Sequence, residues 1–587
     1  MSLKKIFLIF GLALSMLALV AIVFIFIVPE GKQHESLLSE PPAEGCTVVM
    51  VGKDASADSS VMTTHTADCS ICDWTWHHVP AADHEAGSMR KIYHISQIKT
   101  WPPDVGLKWD MNKENYTGVE IPQVPHTYAY HHGVFGYMNE HQLAIAESTI
   151  GCRRKMENST PSGIFDITTL TLIAMERSKT AREAIKTMGK LAEKHGYGFH
   201  DTGEMLAVAD PDEVWIFEIM PVGPLWTPKS GKPGTVWCAQ RVPDDQVSVC
   251  PNESRIGKID LDDKDYFLAS SNVISYAVEN GYYNPERGEP FSWKKAYSPT
   301  EASAASSRGT RARLWRFFDL VAPSRNFSPE TPNIEFPFSV KPDKKLSLQD
   351  IMDITRDKYQ GTTLDPAEGL RGGPFSNPNY HPRPVKVEGK AYNTPRTISV
   401  NRAEYTTVTQ CREWLPDPIG GIVWLAFGAQ DTSCYMPLYA GITAIPESFS
   451  IGDHWVFNRE SARWAFDYVD FHTLVAYSHA IKDVKKAQAE WEKAAIERVP
   501  AIDITAKELY GQNQKLAIEY LTDYCVNNAE EVIDAWWELG DRLLVKYNHL
   551  SIYDTENRKR TNLPYPESWF KEVIKYHNLE PQKPAKK

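Results

Sequence analysis

The stretch Cys46-Thr47-Val48-Val49-Met50-Val51-Gly52, followed by the turn formers Lys53 to Ser60 and then by Val61-Met62-Thr63-Thr64-His65-Thr66-Ala67-Asp68, reads as a β-hairpin that begins on a cysteine. Both arms are short and rich in apolar, β-branched or threonine residues, the composition of paired strands. Pairing about a midpoint near Ala57 sets position 46 opposite position 68, a thiol against a carboxylate. That geometry suits an amide hydrolase whose nucleophile is its own first residue.

An N-terminal cysteine supplies two tools from one residue: a thiol with pKa ~8.5 and an α-amine with pKa ~7.7 to 8.0. The amine takes a proton near neutral pH, and the thiolate is a strong nucleophile. Cys46 is an internal residue of the encoded chain, so this chemistry requires cleavage between Gly45 and Cys46. The preceding sequence is consistent with removal. Lys4 and Lys5 lead into an apolar run at residues 6–28, read as a signal peptide or a signal-anchor transmembrane segment. Its positive end faces the cytoplasm and the remainder lies outside it, whether secreted, periplasmic or at the cell surface. Residues 29–45 are a polar spacer or propeptide containing Pro41-Pro42.

The chain has 587 residues, enough to bury a large core after the spacer, and a formal net charge of −12. The acidic balance argues against nucleic acid as a partner. Of nine cysteines, Cys69 and Cys72 form a C-x-x-C. Setting Cys46 aside leaves an even number for possible disulfides in an exported protein. His77 and His78 follow the C-x-x-C too closely for a relaxed zinc site, so a local disulfide or two thiols is the simpler reading. The sequence shows no other metal signature and no cofactor motif. Sequons stand at Asn115, Asn158, Asn252 and Asn326.

The pattern along the chain is mixed, with antiparallel pairing dominant. Strands are expected at 134–138 and 142–147 around Asn139-Glu140-His141, at 205–209 and 214–218 around Asp210-Pro211-Asp212, and at 235–240. Helices are expected at 167–177, from the capping signature Thr180-Ala181-Arg182-Glu183 to Gly196, at 311–320 and at 346–359. Residues 361–395 form a long Pro/Gly-rich stretch of the kind that wraps a site. Strands return at 418–427 and 435–443. Residues 461–587 form a helical C-terminal region packed on the core, with residues 46–460 as the catalytic domain.

Several blocks in order carry a family resemblance: Cys46-Thr47, Val51-Gly52-Lys53, Asp68, Met138-Asn139-Glu140-His141-Gln142, Ala181-Arg182-Glu183-Ala184-Ile185 and Trp414-Leu415-Pro416-Asp417-Pro418-Ile419-Gly420-Gly421. Together they resemble the cysteine dipeptidases, N-terminal-nucleophile (Ntn) hydrolases related to penicillin V acylase and bile salt hydrolase. The resemblance implies an α+β fold, the Ntn αββα sandwich, with a large and mainly helical C-terminal elaboration. It implies dipeptide substrates cleaved through a thioester on Cys46, with Asp68 contacting the α-amine. It places an oxyanion donor at Asn139 and a second asparagine at Asn272, with a distal arginine at Arg313 or its neighbour Arg311. His65 stands where those relatives carry arginine.

Each of these residues also has an ordinary structural role available: a buried thiol for Cys46, a turn carboxylate for Asp68, a hairpin residue for Asn139, a helix cap for Asn272 and surface cations for Arg311 and Arg313. Two other functional classes share the scaffold, an acylase acting on a non-peptide amide and a membrane-tethered binding protein whose Cys46 is never released. A homo-oligomer is compatible with either.

Overall fold

The computed structural model describes residues 45–587 apart from 70–71, 94–115, 157–162, 199–201, 300–306, 380–384, 393–395 and 582–587. The apolar run at 6–28 and the spacer to residue 44 lie outside the described residues. Among those described, no helix is long and apolar enough to cross a membrane. One compact unit comprises Glu44–His381 with Pro395–Lys587, and the second comprises Met1–Ala43 with Pro382–Thr394. The described part of the second is a hairpin pairing Val385–Val387 with Lys390–Tyr392.

The larger unit is α+β, built on two antiparallel sheets. The six-stranded sheet runs in the order Val247–Cys250, Val48–Val51, Val61–Thr66, Tyr405–Cys411, Ile422–Phe427, Met436–Tyr439. The eight-stranded sheet runs from Phe267–Ala269 through Val236–Val242, Val214–Met220, Gly203–Ala209, Ala144–Ile150, Tyr137–Asn139 and Tyr130–His132 to His77–Val79. The strands Val61–Thr66 and Ala144–Ile150 meet across the two sheets.

The sheets are buried on both faces, which explains why strands read as apolar runs. In Gly203–Ala209, Met205, Ala207 and Ala209 join the core shared with the other sheet, while Leu206 and Val208 join Ile185 and Met188 beneath the helices. Val214–Met220 divides the same way, Ile216 to one core and Trp215 and Phe217 to the other. The covering helices are Ile167–Arg177, capped by Asp166, and Ala181–His195, whose Thr180 hydroxyl accepts from Glu183 N.

Against the six-stranded sheet lie Ala462–Leu474, Tyr477–Gln512 and Gln514–Lys546. Two buried arginines pin the second of these helices. Arg412 Nη1 donates to Asp503 Oδ2 at 2.6 Å, and Arg356 Nη1 to Glu492 Oε2 at 3.0 Å. Such pairs are weak as net stabilisers, but losing one partner strands a buried charge.

Three sequence expectations need correction. The strand expected from residue 418 begins at Ile422, because Asp417–Gly420 closes a helical turn after Pro416. The helix expected over 346–359 is Leu348–Thr355, started by a Ser347/Asp350 capping box. Scattered disulfides are not found among the described residues: Cys69 and Cys72 are bonded to each other, and the other seven cysteines including Cys46 are buried thiols.

Candidate active site

Cys46 sits just before the strand Val48–Val51, flanked on both sides by partner strands. Val51 pairs with Met62 and Met50 with Thr63, a register that sets position 46 opposite 67 rather than 68. Nearer the cysteine, threonine hydroxyls stand in for cross-strand carbonyls. Val49 N donates to Thr64 Oγ1 and Thr47 N to Thr66 Oγ1, both at 2.9 Å. On the other side Val48 pairs with Cys250, and continuing that register brings Asn252 level with Cys46. Asn252 adopts a left-handed backbone (φ 64°) that turns the chain at this point. It abuts Gly45 so closely that a Cβ there would lie 2.5 Å from Asn252 Oδ1.

Two guanidinium groups bracket the Gly45–Cys46 peptide. Arg313 Nη1 donates to Cys46 O and to Thr47 Oγ1, each at 2.9 Å. Its Nη2 donates to Pro251 O at 2.9 Å and Asn252 Oδ1 at 3.0 Å. Those four oxygens are all neutral, so burial and the nearby Arg396 hold the Arg313 pKa well below its usual value. Arg396 Nη2 donates to Gly45 O and pairs with Asp68 Oδ2. Asp68 is wholly buried and further held by Thr66 Oγ1 at 2.8 Å and Gln430 Nε2 at 3.3 Å. Arg356 in turn donates to Gln430 O, which ties this network to the helical layer through Glu492.

The thiol itself contacts Glu147 Oε2 at 3.5 Å. Burial raises the Cys46 pKa, and Glu147 and Asp68 add to the effect, while the Asp68 backbone N–H and Arg396 oppose it. Burial also raises the Glu147 pKa, against hydrogen bonds from Glu204, Thr149 and Cys46. His65 is fully buried, its Nδ1 lies 3.0 Å from Glu147 O, and Nε2 has no hydrogen-bond partner. Burial pushes its pKa down to about 3, which keeps the ring neutral at ordinary pH. A ring nitrogen of His65, Cys46 Sγ and a Glu147 oxygen all lie within 4.8 Å of one another.

A buried thiol thus lies beside a backbone segment held by two guanidinium groups, and comparison with known sequences gives the family. Residues 45–490 match the sequence profile described as Peptidase family C69. The chain belongs to that family. It is a peptidase, and therefore a hydrolase. Its similarity extends to a probable dipeptidase B of Streptococcus pyogenes serotype M1, 24% identical over 468 residues, 76% of this chain and 82% of the relative. A probable dipeptidase of Salmonella dublin is 26% identical over 417 residues, 69% of this chain and 83% of the relative. Dipeptidase A of Lactobacillus helveticus is 25% identical over 423 residues, 69% and 77% of the two chains.

The structure gathers Cys46, Asp68 and Arg313 into one site and leaves the other expected members outside it. Arg311 points to the surface, 3.7 Å from Glu330. The Asn139 side chain, the expected oxyanion donor, is engaged with backbone carbonyls. Its amide spends both protons on Met175 O at 3.0 Å and Ser178 O at 2.8 Å, closing the C-terminal end of the helix Ile167–Arg177. Its Oδ1 accepts from His141 N and Leu143 N. Asn272 donates to Thr235 O at 3.1 Å and lines a separate cavity with Trp226, Tyr276 and Tyr282.

Sequence reasoning passed over Arg396, Asn252, Glu147 and Gln430. Asn252 carried a sequon, yet its Nδ2 is engaged by Thr149 O at 2.9 Å. Its real signal is register, visible only once Val247–Cys250 is known to pair with the nucleophile strand. Arg396 follows directly on the Pro/Gly-rich stretch that was expected to wrap a site.

Proposed function

We propose that this chain is an exported cysteine dipeptidase of the Ntn type, matured by cleavage before Cys46. The layered sheets between helices support the αββα reading. The observation that carries the proposal is the gripped peptide: Gly45 O is held by Arg396 and Cys46 O by Arg313, with the thiol alongside. Dipeptides as substrates follow from what the relatives are called, and export follows from the apolar run at residues 6–28.

Cleavage converts the Cys46 amide nitrogen into an amine. The amine accepts the thiol proton and sulfur attacks the scissile carbonyl carbon, whose π electrons move to oxygen. With Asn139 committed elsewhere, the oxyanion falls to the Arg396 guanidinium, which already binds a carbonyl oxygen two bonds from Cys46 N. Preorganised donors of this kind are worth about 3 kcal/mol each. The ammonium protonates the leaving amine, a thioester remains, and water deprotonated by the same amine releases the acid. Asp68 fixes Arg396, and Gln430 fixes Asp68.

The test is hydrolysis of a dipeptide panel beside N-acyl amides, with mass spectrometry of the mature N-terminus. Dipeptides are expected to be cut by a chain starting at Cys46, and Cys46→Ala to be inactive but folded. Undiminished turnover by Cys46→Ala, or a preference for N-acyl amides, would overturn the reading.

A further inference from the structure

The Cys46 thiol has two polar neighbours, the His65 ring and the Glu147 carboxylate, that the proposed hydrolysis does not use. Cys46 Sγ, a His65 ring nitrogen and a Glu147 carboxylate oxygen lie within 4.8 Å of one another, and all three residues are buried. The His65 ring is 0% exposed and one of its nitrogens, Nε2, lacks any hydrogen-bond partner. A buried imidazole nitrogen without a partner forfeits a hydrogen bond that buried polar groups almost always make. Its other nitrogen faces a backbone carbonyl, Glu147 O, at 3.0 Å. That is the usual outer-shell arrangement of a metal-binding histidine: a proton on one nitrogen, given to a carbonyl, leaves the lone pair of the other free. Glu147 is likewise braced, its second oxygen accepting from Thr149 Oγ1 at 2.9 Å.

We propose that Cys46, His65 and Glu147 form a zinc site that holds the nucleophile in an inactive state. Thiolate, imidazole and carboxylate are the three ligand types zinc takes, and they fit tetrahedral coordination with one position left open. The charges suit a buried dication: one thiolate and one carboxylate against Zn²⁺, with a neutral ring. On binding, sulfur loses its proton to solvent and its lone pair forms the Zn–S bond, so it no longer attacks a carbonyl. Once residue 45 is removed, the Cys46 amine is placed to fill the open position. The ligands come from the residue two before the strand Val48–Val51, a six-stranded-sheet strand and an eight-stranded-sheet strand, so no spacing motif announces them.

The experiment is zinc titration of the purified chain against a chromophoric chelator, without substrate, so its outcome is independent of the dipeptidase reading. One Zn²⁺ per chain is expected, with uptake lost in Cys46→Ser and weakened at least about tenfold in Glu147→Gln and His65→Phe. Mg²⁺ and Ca²⁺, which favour all-oxygen sets, are expected not to compete. Co²⁺ in the unaltered chain is expected to show a thiolate charge-transfer band, a readout that needs no variant to fold. Bound zinc is also expected to shield Cys46 from alkylation. No uptake, uptake that survives Cys46→Ser, competition by Mg²⁺, or a cobalt complex without the thiolate band would each overturn the proposal.

Discussion

Arg313 offers the sharpest perturbation of the site, because it touches Cys46 through its backbone carbonyl. Its guanidinium satisfies two main-chain carbonyls, Cys46 O and Pro251 O, and two side-chain oxygens, Thr47 Oγ1 and Asn252 Oδ1. Removing it in Arg313→Ala leaves Cys46 O buried and unpaired, while Pro251 O keeps the Thr310 hydroxyl at 3.2 Å, so about 1 to 3 kcal/mol of stability is at stake. Arg313→Lys is the more informative change. It keeps a cation but replaces the planar fork with a point charge that cannot span the Cys46 and Asn252 turns together. The fold should then survive with a modestly lower Tm, while Cys46 drifts. A displacement of about 1 Å at a reacting atom costs on the order of 100-fold in rate. Steady-state dipeptide hydrolysis, run beside thermal unfolding, should therefore show a large fall in kcat with little change in KM, partly rescued in Arg313→Ala by added guanidinium at non-denaturing concentration. Full kcat in Arg313→Lys would refute the claim that this residue positions the nucleophile.

Three further outcomes are expected. Asn139→Ala should unfold about 2 to 6 kcal/mol more easily, from the unpaired Met175 and Ser178 carbonyls at about 1 to 3 kcal/mol each, yet leave kcat within a factor of a few; a hundredfold loss of kcat would restore the oxyanion role. Gly45→Ala should slow maturation, because its Cβ would fall 2.5 Å from Asn252 Oδ1, and unprocessed chain should accumulate on a denaturing gel. The His65 pKa, lowered by burial to about 3, makes that residue's share of stability complete above pH ~6.5 and lost as pH falls towards 3, because the unfolded chain takes up the proton first. The stability difference between the unaltered chain and His65→Asn should thus shrink by about 2 kcal/mol between pH 7 and pH 5; a constant difference would show that the ring titrates normally.

Much of the fold was legible because strands and helices here obey local rules. The helix Ile167–Arg177 falls on its expected residues, and the hairpins around 139–141 and 210–212 lie where Asn and Asp mark turns. The nucleophile hairpin was legible to within one residue of register. The slip lies in the turn, whose midpoint falls between Ser56 and Ala57 rather than on Ala57. Cys46 and Asp68 were read from the hairpin and from ordered blocks of family resemblance, and Arg313 as one of two candidates for a distal arginine. Arg396 and Glu147 were not, since they reach the site across separations of 328 and 101 residues, to Asp68 and to Cys46 respectively. At Asn139 the sequence allowed two uses, and the structural one of a hairpin-tip asparagine occupies both protons of its side-chain amide.

The central claim is that catalysis requires a free amine on Cys46. Intact-mass and N-terminal sequence analysis of the active protein, coupled to its turnover of a dipeptide, tests this most directly. The expected result is that activity tracks the fraction of chains beginning at Cys46. Full activity in chains that retain the Gly45–Cys46 bond would contradict it.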